Sequence, residues 1–151
     1  MSGSVSGPWV LYARATLNIL NGSIDLTNNT YTMALLASSY TPNSGQQVQW
    51  SDVSINEIPT GLGYTQGGMI LTGTSGLSAN NTITFSCNSP NWGGFNATFE
   101  YGVIVRQYGA TLGSGDQLIC YADLGGGTSL SGGGGNLQVM TSTGVFQIVI
   151  Q

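Results

Sequence analysis

Apolar residues along this chain come in short bursts, most at a spacing of two, each closed by glycine, proline, asparagine or serine. That pattern predicts short β-strands. Strands are expected at residues 31–38, 64–72, 82–87, 96–107, 117–124, 137–141 and 145–150. The clearest is 96–107, where Phe99, Tyr101, Val103 and Val105 alternate with Thr98, Glu100, Gly102 and Arg106. Ile104 breaks the alternation, which predicts cover on both faces at that end; residues 31–38 are apolar on both faces and read the same way. Residues 8–21 differ. Val10, Ala13, Leu17 and Leu20 recur at roughly helical spacing, Ser6 and Pro8 suit a helix start, and Gly22 suits its stop. A strand is the rival reading there, because Val10, Thr16 and Ile19 are β-branched.

The connecting segments have their own signals. Ser54 and Glu57 stand at capping-box spacing and predict a turn of helix over residues 52–58. Residues 40–45, 88–94 and 109–115 read as loops or turns. Residues 125–135, GGGTSLSGGGG, are low in complexity: a hairpin loop, or a segment ordered only by a partner. Together these features predict a mainly β, single-domain antiparallel β-sandwich, jelly-roll or immunoglobulin-like, with one short N-terminal helix. Residues 1–8 are expected to form a flexible N-terminal arm and residues 9–151 the sandwich.

Composition narrows the function. Of 151 residues only 5% are charged, against about a quarter in ordinary soluble domains. A polar but nearly uncharged surface favours association. With Arg14 and Arg106 as the only basic residues and a net charge of −4, the chain cannot neutralise a run of phosphates, so no nucleic-acid partner is expected. No apolar run approaches the ~20 residues that span a bilayer, and residues 1–8 lack the basic start of a signal peptide, so no membrane partner is expected either.

Candidate chemistry is sparse. The chain has no histidine and no lysine, which removes the commonest general base, Schiff-base chemistry and every Ser–His–Asp or Cys–His arrangement. A carboxylate pair drawn from Asp25, Asp52, Glu57, Glu100, Asp116 and Asp123 is the remaining catalytic option, and none of these sits in a catalytic context. The expectation is a protein without turnover, cofactor or metal. Cys87 and Cys120 read as small buried residues on separate strands, with a disulfide as the alternative. The aromatic residues Trp9, Trp50 and Trp92 lie at element ends or in loops, where they cap the core, fill an interface or form a sugar-stacking platform. Val5, Pro8, Trp9, Trp50, Trp92 and Phe95 are the expected interface residues, with the arm able to add to a neighbour's sheet edge.

Several motifs occur in a telling order: Asn21-Gly22-Ser23-Ile24-Asp25; Met33-Ala34-Leu35-Leu36 with Ser38-Ser39-Tyr40-Thr41-Pro42; Trp50-Ser51-Asp52-Val53-Ser54 with Glu57; Gly63-Tyr64-Thr65 with Gly67, Gly68 and Leu71-Thr72-Gly73; Tyr101 to Val105; Leu118 to Asp123 with Gly125; and Val145-Phe146. As a series the chain resembles small structural proteins of tailed bacteriophages, most nearly head decoration (cement) proteins. The resemblance implies a virion protein on the outer capsid surface that binds the phage major capsid protein and copies of itself, with a trimer favoured. A carbohydrate-binding module or fibre-tip domain, and a tail or baseplate component, are the alternative readings.

Overall fold

The structure is a computed structural model, and it describes residues 3–142 and 144–149. Residues 1–2, 143 and 150–151 lie outside it, and with them the ends of the expected arm and of the last expected strand. The fold is mainly β, and the described residues form one α-helix and four small sheets.

The centre is a five-stranded antiparallel sheet in the order β2-β10-β9-β3-β4. Its members are β2 (Val10–Leu11), β3 (Thr30–Leu36), β4 (Met69–Ile70), β9 (Tyr101–Gln107) and β10 (Gln117–Asp123). Met33 to Leu36 and Val103 to Val105 are fully buried, as expected of strands covered on both faces. Helix α1 (Ala13–Leu20) packs against β10, and the Tyr12 ring lies 5.4 Å from that of Tyr121. On the other face Tyr31 meets Phe85 edge-on at 5.2 Å.

Phe85 belongs to a second sheet, β13-β6-β5, built from β5 (Ser75–Ala79), β6 (Thr82–Ser86) and β13 (Phe146–Val149). A third, β1-β12-β7, joins β1 (Gly3–Ser6), β12 (Leu137–Met140) and β7 (Asn91–Trp92). The fourth pairs β8 (Thr98–Phe99) with β11 (Leu130–Ser131). The buried apolar residues form one connected cluster.

Several elements depart from the sequence expectations, each for a tertiary reason. The helix begins at Ala13 rather than Pro8, because Val10 and Leu11 pair with Tyr121 and Cys120 and the Tyr12 N–H donates to the Ile119 carbonyl at 3.0 Å. A ladder partner outweighs a weak local helix preference. Of residues 64–72 only Met69–Ile70 form a strand. The strand expected over 96–107 divides at Glu100: β8 pairs with β11, whereas β9 enters the central sheet. Residues 3–6 of the expected arm pair in parallel with β12 of the same chain, Val5 opposite Val139. This parallel ladder is an exception to the antiparallel pattern.

Candidate functional site

The feature that gathers the most expected interface residues is an apolar cleft of about 160 Å³. Val5 lines it from β1, Leu137 from β12, and Phe95, Phe99 and Leu130 from the segments between. The glycine tract builds it. The Phe95 N–H donates to the Gly135 carbonyl at 2.7 Å, and the Gly134 N–H returns to the Phe95 carbonyl at 2.9 Å. A Cβ on Gly132 would stand 2.7 Å from Phe95 Cδ1, so only glycine lets the strap lie this close to the ring. Leu130 pairs with Phe99, whose ring meets Phe95 edge-on at 5.4 Å. The tract, expected to be a hairpin loop or a segment ordered only by a partner, is a strap closed on its own chain. Ser4, Ser131 and Asn136 stand among the lining residues, and none of the lining residues is ionisable. Such a cleft can accept an apolar group but offers no acid–base or nucleophilic chemistry.

The second candidate region is the stretch from Trp50 to Gly73. Two 3₁₀ turns, Trp50–Asp52 and Ser54–Asn56, open it. The Asp52 carboxylate accepts the N–H groups of Gln49 (3.0 Å) and Val48 (2.8 Å), which hold it below its usual pKa range. Glu57 does not serve the capping box expected with Ser54. Its Oε1 instead accepts the Tyr64 hydroxyl and the Gly67 N–H, both at 2.7 Å, while burial pushes its pKa up against them. The Tyr64 oxygen in turn accepts the Leu35 N–H at 3.1 Å. This chain of hydrogen bonds ties the loop to the middle of β3. Between those anchors a tight turn runs from Gly61 to Tyr64, with Leu62 and Gly63 at φ 54° and 88°. A Cβ on Gly63 would meet the Gly94 carbonyl oxygen at 2.5 Å, so loop and Phe95 segment touch backbone to backbone.

The structure scatters the expected interface residues. Trp50, Trp92 and Phe95 are 7%, 5% and 1% exposed, so these aromatics belong to the core, with Phe95 also forming a wall of the cleft. Trp92 sits on β7 with its ring 6.2 Å from Tyr64. A platform of the three tryptophans is therefore not assembled. Val5 and Phe95 meet at the cleft; Pro8 is exposed, and Trp9 is half-buried over Gly102, whose added Cβ would lie 3.2 Å from the indole. Sequence reading missed the residues that do face outward: Ile55 (90% exposed), Leu62, Leu17, Leu20 and Leu77. The available signal was an isolated apolar residue inside a polar turn, as at Ile55 between Ser54 and Asn56.

Two further carboxylates serve the backbone. Asp25 accepts from the Asn28 side chain (2.8 Å) and from the Asn28 and Thr27 N–H groups, which lower its pKa. Asp116 holds the Gly113 N–H at 2.8 Å. Both cysteines are buried and unbridged; burial raises both thiols, and Cys87 Sγ contacts the Thr141 hydroxyl at 3.2 Å. Among the described residues no group of three His, Cys, Asp or Glu could hold a metal ion, and no helix is long and apolar enough to cross a membrane. Compared with known proteins, the chain matches no family model, no curated protein and no solved structure.

Proposed function

We propose that this chain is a structural protein of a tailed-bacteriophage particle, most like a head decoration protein. It binds the major capsid protein and neighbouring copies of itself on the outer surface of the shell. The observation that carries this reading is the ordered motif series from Asn21 to Phe146, which spans most of the chain. In the single β-sandwich expected of such a protein, the central sheet forms one layer and the sheet containing Phe85 contributes to the other.

The surface supports the reading. Large apolar side chains stand out singly at Leu17, Leu20, Ile55, Leu62 and Leu77, on a chain with only eight charged residues (two basic, six acidic). Such a surface meets a protein partner without desolvating ions, and repeated weak contacts on a shell add by avidity. With Trp50, Trp92 and Phe95 in the core, Ile55 and Leu62 replace them as the anchors of the Trp50 stretch.

A cryo-EM map of the source particle tests this. Density for the chain repeated over an icosahedral shell is the expected result. Density confined to the tail, or absence of the chain from the particle, overturns it. A second measurement sharpens the anchor assignment: Ile55→Asp with Leu62→Asp is expected to lower shell occupancy at least roughly tenfold with folding intact. Unchanged occupancy removes these residues from the interface.

A further inference from the structure

We infer that β13 is a self-association edge, pairing in antiparallel fashion with β13 of a second copy of this chain. The inference deepens the self-association in the reading above and rests on that reading for its setting.

Backbone direction comes first. In the order β13-β6-β5 both outer strands are edges. On β5, Gly76 turns its N–H and its C=O outward to the Thr27 hydroxyl, at 3.0 and 3.4 Å. That edge is closed by its own chain. It also sets the alternation: Ser75, Leu77 and Ala79 bond inward to Ser86, Thr84 and Thr82. Phe85 and Ile83 then turn their backbone groups toward β13, opposite Phe146 and Ile148, and the Phe85 carbonyl accepts the Val145 N–H at 2.7 Å. The outward groups of β13 are those of Gln147 and Val149.

The character of the edge comes second. Sheet edges are ordinarily blunted by charge, proline, bulges or extreme shortness. Of the edges described, β2, β4 and β7 are two residues long, β4 follows Gly68, β7 lies between Pro90 and Gly93, and β1 begins on glycine. β13 alone runs four residues with no glycine, proline, charge or register shift.

Self-complementarity names the occupant. With a two-fold axis at Ile148, Gln147 of one copy lies opposite Val149 of the other, and both reciprocal pairs exchange N–H···O=C bonds. Val149 is 59% exposed, and the half-buried Ile148 meets its own counterpart. Neither β13 nor β6 nor β5 carries a charge, so two copies approach without like-charge repulsion. A strip this small gives a weak pairing of the transient class.

The test is a charge swap read by sedimentation velocity between about 10 µM and 1 mM, a range suited to weak contacts. The wild type is expected to dimerise with concentration. Gln147→Lys with Val149→Lys places like charges opposite across the axis and weakens pairing roughly tenfold or more. Gln147→Glu with Val149→Glu does the same, and mixing the two variants restores the dimer. Val149→Pro, which removes one outward donor and is tolerated at an edge, also abolishes it. A wild type monomeric throughout, variants that dimerise undiminished, or a mixture no tighter than its parts each overturns the inference. Thermal unfolding confirms that the variants are folded. Failure of the dimeric wild type to occupy a phage shell overturns the functional reading alone.

Discussion

Strands β9 and β6 are both rich in β-branched residues yet fare differently. β6 alternates Ile83 and Phe85 with Thr82, Thr84 and Ser86, whereas Val103, Ile104 and Val105 run together in β9. In β9, Val103, Ile104 and Val105 are all fully buried; Tyr40 meets Tyr101 on one face of the sheet and Phe85 meets Tyr31 on the other. In β6 only Phe85 is buried, and its sheet presents Leu77 and Val149 to solvent. The lesson is about cover: a strand contributes to stability as far as its neighbours bury both of its faces.

The sharpest way to break that comparison is to truncate one residue in each sheet. Ile104→Ala leaves a cavity between two covered faces and is expected to cost about 2–5 kcal/mol in chemical denaturation. Leu77→Ala, 63% exposed, is expected to change stability by less than about 0.5 kcal/mol. Equal costs would show that the outer sheet is as deeply covered as the inner one.

Next in size is the loop that reaches the inner sheet. Gly63→Ala puts a methyl group against the Gly94 carbonyl at a positive φ, with an expected loss of about 1–3 kcal/mol. Gly61→Ala, also at positive φ but with open space around it, separates conformational strain from collision. If the two variants lose equally, backbone contact with the Phe95 segment contributes nothing.

The smallest effects depend on pH and run in opposite directions in the buried and exposed parts of the same stretch. Burial raises the folded-state pKa of Glu57, so its contribution is present at low pH and lost as pH rises through that raised value. Glu57→Gln should therefore gain on the wild type as pH rises. Asp52 is held low by backbone N–H groups, so its contribution is present at neutral pH and lost as pH falls through its lowered value. Asp52→Asn should be weaker than wild type near pH 7 and equal to it in strong acid. Denaturant midpoints from about pH 2 to 7 check both, and parallel curves for all three proteins would remove either carboxylate from the account.

Much of the fold was legible in the chain. The alternation in residues 101–107, the two-sided apolar runs and the stop at Gly22 all rest on local spacing. β5 was missed although a signal was present: Asn80 and Asn81, both at positive φ, form the tight turn that closes the β5–β6 hairpin. The cleft was half legible. Val5 and Phe95 stand out by their chemistry, but that they meet depends on β1 pairing with a strand more than a hundred residues later. Nothing local specifies such a ladder.

The sequence by itself determined the class of the protein: mainly β, nearly uncharged, and without the side chains that acid–base or Schiff-base catalysis most often uses. Those follow from composition and from a period of two, which any window of residues carries. Tertiary structure alone decided which aromatics are spent inside, which edge stays open and what the glycine tract is for. Trp50 and Ile55 lie five positions apart in one loop, yet one is buried and the other almost wholly exposed. That difference comes from long-range pairing, as in the Trp50 N–H bond to the Asp116 carbonyl at 2.7 Å, which holds one end of the loop against the core and turns the other outward.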